Sequence, residues 1–357
     1  GEPLTLPARP EHIDDIEVED VTSVFQRKMM DWVDIRDFGA KGDGVTNDAA
    51  AFLAADGAAL ASGRTLLVSA GTYFVDADIT VAADARFEGR IVMPAARRLS
   101  LTRNFNLPAY ADAFGSEEEG FKKAFQALLN FSDHESLDLG GRRIAVTAPL
   151  NMQAIVGNKT IFATRRVIRN GQFDAIAGPA WTTATVTSQA TYSAAAPKTL
   201  AGVVNVANIA VGSLVQGSGV GREVYVTAVN VAGASLTLSE PLFGAVGTQT
   251  YSFTRFRYVL DFSGFEQLDK LTIDSVEIQC NGVASGILLA QEGRTFALTD
   301  SFVTRPKDRG ITSAGLGCQG MLIDGCQFLS DEQSLRAQDR VSIALNDNAN
   351  DVKLRDN

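Results

Sequence analysis

Three aspartates, Asp274, Asp300 and Asp324, follow similar apolar stretches in LTID, ALTD and LIDG. They lie 26 and 24 residues apart, and Asp356 follows after 32 more. A coil of this period would bring them into one column, with neighbours about 4.8 Å apart. Two carboxyl groups roughly 5–5.5 Å apart suit retaining cleavage of a glycosidic bond, and roughly 6.5–9.5 Å suits inversion. A lyase would instead need a base beside a group that neutralises a uronate. A second constellation, RPKDRG, gathers Arg305, Lys307 and Arg309, with Asp331 and Glu332 one repeat later. It would hold an anionic sugar next to an acid/base pair. Both sets have a structural alternative, because Asp after a strand is a common turn residue and a charged loop is often only solvated. Asp261 and Glu277 are fainter candidates of the same kind. Trp181 and Trp32 could stack on a sugar ring, or pack at a junction.

The stretch DFGAKGDGVTNDAAAF (37–52) looks at first like a nucleotide loop. It lacks the Lys-Ser/Thr ending of a P-loop, and GAKGDG is not the dinucleotide fingerprint. Its aspartates Asp37, Asp43 and Asp48 occupy turn or cap positions that the residue favours anyway. Architecture is the better reading.

Around these residues the chain reads as strands. Asn47 or Asp48 caps a helix with apolar positions Ala51, Phe52, Ala55, Ala59 and Leu60, and Gly63 ends it. TLLVS and TYFVDADITV then alternate as half-buried strands do. SEEEGFKKAFQALLNF opens a second helix on a capping box, Ser116 with Glu119. SLDLGGRRIAVTAPLNM aligns with TLLVSAGTYFVDADITV at a constant shift of 71 positions, whereas the Ala-Phe pairs of the two helices need 73. This is a weak internal duplication. Residues 182–254 are poor in charge and rich in Thr, Val and Gly, and read as a small inserted β-sandwich or barrel. From 255 to 357 the repeats of about two dozen residues, with GILLA, GITSA and VSIAL between the aspartates, are each too short to bury an apolar face alone. Stacking solves that, as in a solenoid with three short strands per coil.

Composition narrows the partners. The chain has 357 residues, 45% of them apolar, with 32 Gly and a net charge of −10. That charge argues against nucleic acid, which needs clustered Lys and Arg. Three cysteines, Cys280, Cys318 and Cys326, are too few for a disulfide framework, and with two histidines no metal site is expected. We read the cysteines as buried free thiols. No cofactor is expected. No apolar run reaches the ~20 residues of a membrane span, and no secretory leader opens the chain.

VDIRDFGAKGDGVTNDAAAF followed by LLVSAGTYFV closely resembles the start of pectate-lyase-like proteins, over about residues 32–80 and partially over 116–152. The resemblance implies an all-β, right-handed parallel β-helix with an N-terminal capping helix, here with the inserted β domain. That family includes polysaccharide hydrolases and lyases and many phage tailspike and depolymerase proteins. The acidic leader 1–31 and the β module at 182–254 favour the phage branch. The organisation expected is therefore an attachment segment (1–31), a capped and duplicated start (32–181), the insert (182–254) and further coils (255–357). The resemblance implies a homotrimeric spike on a virion or phage-like particle, binding bacterial surface polysaccharide at the cell surface. Whether it cleaves that polymer stays open. A free polysaccharide hydrolase or lyase, and a structural spike base carrying another receptor-binding protein, are the alternatives.

Overall fold

The computed structural model describes residue 29 and residues 31–130, 133–330, 343–348 and 351–357. Most of the leader 1–31 lies outside the described residues, as do Asp331 and Glu332. The described chain is a parallel β-helix built as two stacks of coils. In the first stack Trp32–Asp34, Thr65–Val68 and Ala85–Phe87 pair in parallel on one side. Asp43–Asn47, Thr72–Phe74 and Arg90–Val92 pair on the next, and Ile79–Val81 pairs with Leu99–Leu101 on the third. Leu66, Val68, Tyr73, Val75 and Ile79 are buried in the core of this stack.

The opening Gly/Asp stretch sets up this stack. Buried Asp48 precedes helix α1 (Ala49–Ser62), but its carboxylate accepts from Lys41 N (2.7 Å) and Gly42 N (3.1 Å) and makes no bond to the helix. Asn47 Oδ1 accepts from Ala49 N instead, at 3.2 Å. Gly42 has φ +63°, and a Cβ there would lie 2.9 Å from the ring of Tyr73. A Cβ on Gly89 would lie 2.4 Å from Ser69 O and 2.8 Å from the same ring. The glycines thus let the loop and the next coil close on a buried tyrosine, whose hydroxyl accepts from Arg36 Nε (3.1 Å). α1 lies across the first coil, burying Phe52, Ala55 and Ala59 against it, with Phe52 edge-on to Tyr73 at 5.9 Å.

Two helices separate the stacks. α2 (Leu107–Phe114) packs on the last strands of the first stack, and α3 (Glu117–Asn130) on Ser136–Asp138 and Arg143–Val146, where the second begins. Ser116 Oγ caps α3 at Glu119 N, 3.3 Å away. Strands starting at Thr65, Thr72 and Ile79 recur at Ser136, Arg143 and Leu150, an offset of 71 each time. The helices α1 and α3, both of 14 residues, are offset by 68 rather than 73. The Ala-Phe pairs used to align them fall in the first turn of one helix and the third turn of the other.

α3 also carries a buried lysine. Lys123 Nζ donates to Pro94 O (2.8 Å), Ala95 O (3.2 Å) and Arg97 O (2.7 Å), tying α3 to the turn at residues 94–97. Desolvation pushes its pKa down to about 8. Below that pH the amine is charged in both the folded and unfolded chain, and folding bears the cost of burying it. Between about 8 and the ordinary lysine value near 10.4 only the unfolded chain holds the proton, so stability from this group rises with pH. Wild type should therefore gain on Lys123→Met between pH 7 and pH 10 in paired urea denaturations. The buried thiols, Cys318 among them at about 11, push the other way but cancel in the difference. A difference that does not change with pH would refute the assignment.

In the second stack the first four coils each carry four strand segments, not three. The register runs Asp138, Arg169, Asp274, Thr299, Asp324, Arg355 down one outward column. After each of the last five comes a residue in the left-handed region: Asn170, Ser275, Asp300, Gly325 and Asp356. That corner turns the chain onto the next face, Arg143–Val146, Gln172–Ala175, Val276–Gln279, Phe302–Thr304 and Gln327–Leu329. The third face stacks Leu260, Ile287, Ile311 and Leu345 inward. Between Ala175 and Tyr258 the chain leaves the coil, and strands from Ala184 to Arg255 close a six-stranded antiparallel barrel with its own core. The three cysteines are free and buried. No helix among the described residues is long and apolar enough to cross a membrane.

Candidate functional site

The aspartate ladder does not form as the spacing predicts. Asp274 pairs in register with Thr299, and Thr299 with Asp324, so Asp300 sits one residue past the column. It occupies the left-handed corner (φ +47°), where Asp and Asn are tolerated better than most residues. Asp274 and Asp324 are two coils apart with Thr299 Oγ1 donating to Asp274 Oδ1 at 2.5 Å between them. Asp324 Oδ2 accepts from Arg355 Nη2 at 2.6 Å, and Arg169 Nη2 lies 3.3 Å from Asp138 Oδ2. The column is acid, base, acid, hydroxyl, acid, base. Stacked carboxylates at one strand spacing would repel, and the intervening residues separate and neutralise them.

The basic cluster is likewise divided. Arg305 is exposed at the end of its strand, with Lys307 half-buried two residues on. Arg309 is buried: its Nη2 lies 3.2 Å from Glu223 Oε1 on the barrel, and its guanidinium covers the Phe256 ring at 4.8 Å. It joins barrel to coil. Asp261 is buried there too, paired with Arg255 and accepting from Ser263 Oγ at 2.6 Å. Trp181 is 2% exposed and donates from Nε1 to Ile176 O at 2.8 Å, so its ring cannot stack on a sugar. Trp32 lies in the first strand with Arg86 over its ring at 5.0 Å.

The residues the structure does bring together lie on the face after the corner. Alternation there turns Ile144, Phe173, Ile278 and Val303 inward and leaves two outward columns. One reads Arg143, Gln172, Glu277, Phe302, Gln327, and the other Ala145, Asp174, Gln279, Thr304, Leu329. Glu277 Oε2 accepts from Gln172 Nε2 at 2.5 Å and Oε1 from Gln279 Nε2 at 2.9 Å. Asp174 Oδ2 takes Arg143 Nη2 at 2.5 Å and Oδ1 takes Asn281 Nδ2 at 2.7 Å. Phe302, 40% exposed, follows Glu277 one coil on. Of these, the sequence pointed only to Glu277. The period-2 alternation in VEIQ and RNGQFDA was visible, but the pairing of Gln172 with Glu277 spans the whole barrel.

A cleft of about 360 Å³ between α3 and residues 148–155 also has charged walls. Two of its cations are engaged, Lys122 with Glu118 at 2.6 Å and Lys123 with the three carbonyls. Among the described residues no three His, Cys, Asp or Glu side chains gather in a way that would hold a metal.

Residues 32–132 match the family model described as rhamnogalacturonase A/epimerase, pectate lyase-like. No curated protein matches. Among solved structures, the mannuronan C-5 epimerase AlgE4 A-module of Azotobacter vinelandii is 14% identical, with 84% of this chain and 50% of that one covered and a TM-score of 0.14. The tailspike gp49 of Pseudomonas phage LKA1 is 13% identical over 91% and 51% of the two chains, with a TM-score of 0.20. The gp54 tailspike of Acinetobacter baumannii bacteriophage AP22, solved with a capsular saccharide, is 9% identical over 84% and 47%, with a TM-score of 0.16. The chain spans about half the length of these structures.

Proposed function

We propose that this chain is part of a spike on a phage or phage-like particle, binding bacterial surface polysaccharide along the outward face that carries Gln172, Glu277, Gln279 and Phe302. The observation that carries the reading is one carboxylate fixed by two amides beside an exposed aromatic ring, on a flat run of parallel strands. Sugars are met in this way, with acceptors and donors for hydroxyls and a ring for the apolar side of the pyranose. Residues 1–31 attach the spike to the particle, and the working form is a homotrimer. The face reads as a binding surface, since both of its carboxylates are held in hydrogen-bonded pairs.

Surface polysaccharides from candidate hosts, immobilised and titrated with the purified protein, test this reading. Phe302→Ala should weaken binding about tenfold, the 1.4 kcal/mol of a modest hot spot. Asp324→Asn, on the neighbouring face, should leave it unchanged. If no host polysaccharide binds, or if Asp324→Asn is the damaging change, the face is wrongly chosen.

A further inference from the structure

We propose that the subsite between Glu277 and Phe302 takes a neutral or amino-bearing pyranose and disfavours uronic acids. This rests on the reading of the face as glycan-binding. Among the described residues Glu277 has no cationic partner: its two bonds come from the neutral amides of Gln172 and Gln279. An ionised carboxylate only accepts, and each oxygen keeps acceptor capacity after one bond. What it can receive is a hydroxyl, an acetamido N–H or an ammonium. The carboxylate of a uronate would meet a like charge.

The rest of the face agrees. Its one cation on these strands, Arg143, is taken by Asp174 and stands two coils from Glu277 in the same column. Arg305 and Lys307 lie beyond the strand end, on the turn to the following face. Phe302 lies one strand spacing, about 4.8 Å, from Glu277. Its ring offers an apolar platform to the C–H side of a pyranose, and its negative face attracts an ammonium. A uronate gains the first contact and loses the second.

The test uses three soluble hexamers at 150 mM salt by calorimetry: glucosamine, N-acetylglucosamine and galacturonate. The amino and neutral hexamers should bind at least tenfold more tightly than the uronate. Glu277→Gln, the same shape without the charge, should shrink the ratio of amino sugar to uronate severalfold. Phe302→Ala should weaken amino and neutral hexamers together, which separates this subsite from diffuse attraction to an acidic protein. Circular dichroism of both variants checks that they fold. If the galacturonate hexamer binds as well as the others and Phe302→Ala abolishes it, the glycan face stands and the selectivity falls. If neither the hexamers nor any host polysaccharide binds, both fall.

Discussion

Phe121→Ala is expected to cost about 3–5 kcal/mol, the range for emptying a large buried aromatic site. Phe121 is fully buried on α3, where its ring meets Phe173 edge-on at 4.9 Å and stacks near Phe125 at 6.1 Å. Phe125 in turn reaches Phe262 at 6.3 Å. These four rings fill the beginning of the second stack, where the coil has no earlier coil to cover it. The surrounding strands are hydrogen-bonded in register and cannot collapse into the void, so the cost should fall toward the upper end. Urea denaturation gives the number, and the midpoint should drop with little change in slope. A loss below about 1 kcal/mol would mean that α3 is not what closes this end.

Arg309→Ala should be nearly as damaging, for a different reason. It leaves Glu223 on the barrel without its cation, next to Tyr225, whose hydroxyl donates to Glu223 Oε2 at 2.5 Å. Removing one partner of a buried pair typically costs about 3–5 kcal/mol, because the remaining charge is stranded. Side-chain exposures of 9% for Arg309 and 18% for Glu223 place this pair near the buried case. The double change Arg309→Met with Glu223→Met should recover most of the loss, since Leu214, Phe256, Tyr258 and Leu288 already make this junction apolar. Paired denaturations of the single and double variants decide it. Equal damage in both would show that packing of the arginine stem, and not the stranded charge, is what matters.

Much of the architecture was legible from residue type. Asp48, Gly42 and Gly63 could be read as turn and helix-end residues because aspartate and glycine have few other uses in such a string. The inward positions Ile273, Leu298 and Ile323 recur at a period that only stacking can use. What failed was register. LTID and ALTD look equivalent, yet the first ends on the strand and the second includes the corner, and a left-handed residue leaves no mark when Asp fills both places. Arg309 misled because its partner is 86 residues away on a barrel whose docking no local pattern encodes. Glu277 was visible as a faint candidate, but its pairing with Gln172 was hidden for the same reason. Its two sides are contributed from before and after the barrel.

The alternating column on the first face bears on how the coils find their order. Their inward residues, Ile168, Ile273, Leu298 and Ile323, are close to interchangeable, so greasy packing alone would tolerate a chain wound with one loop skipped. Omitting the Arg169 loop would set Asp138 against Asp274, and omitting the Thr299 loop would set Asp274 against Asp324. The column thus penalises skipping either of these two loops at the step where the miscount occurs.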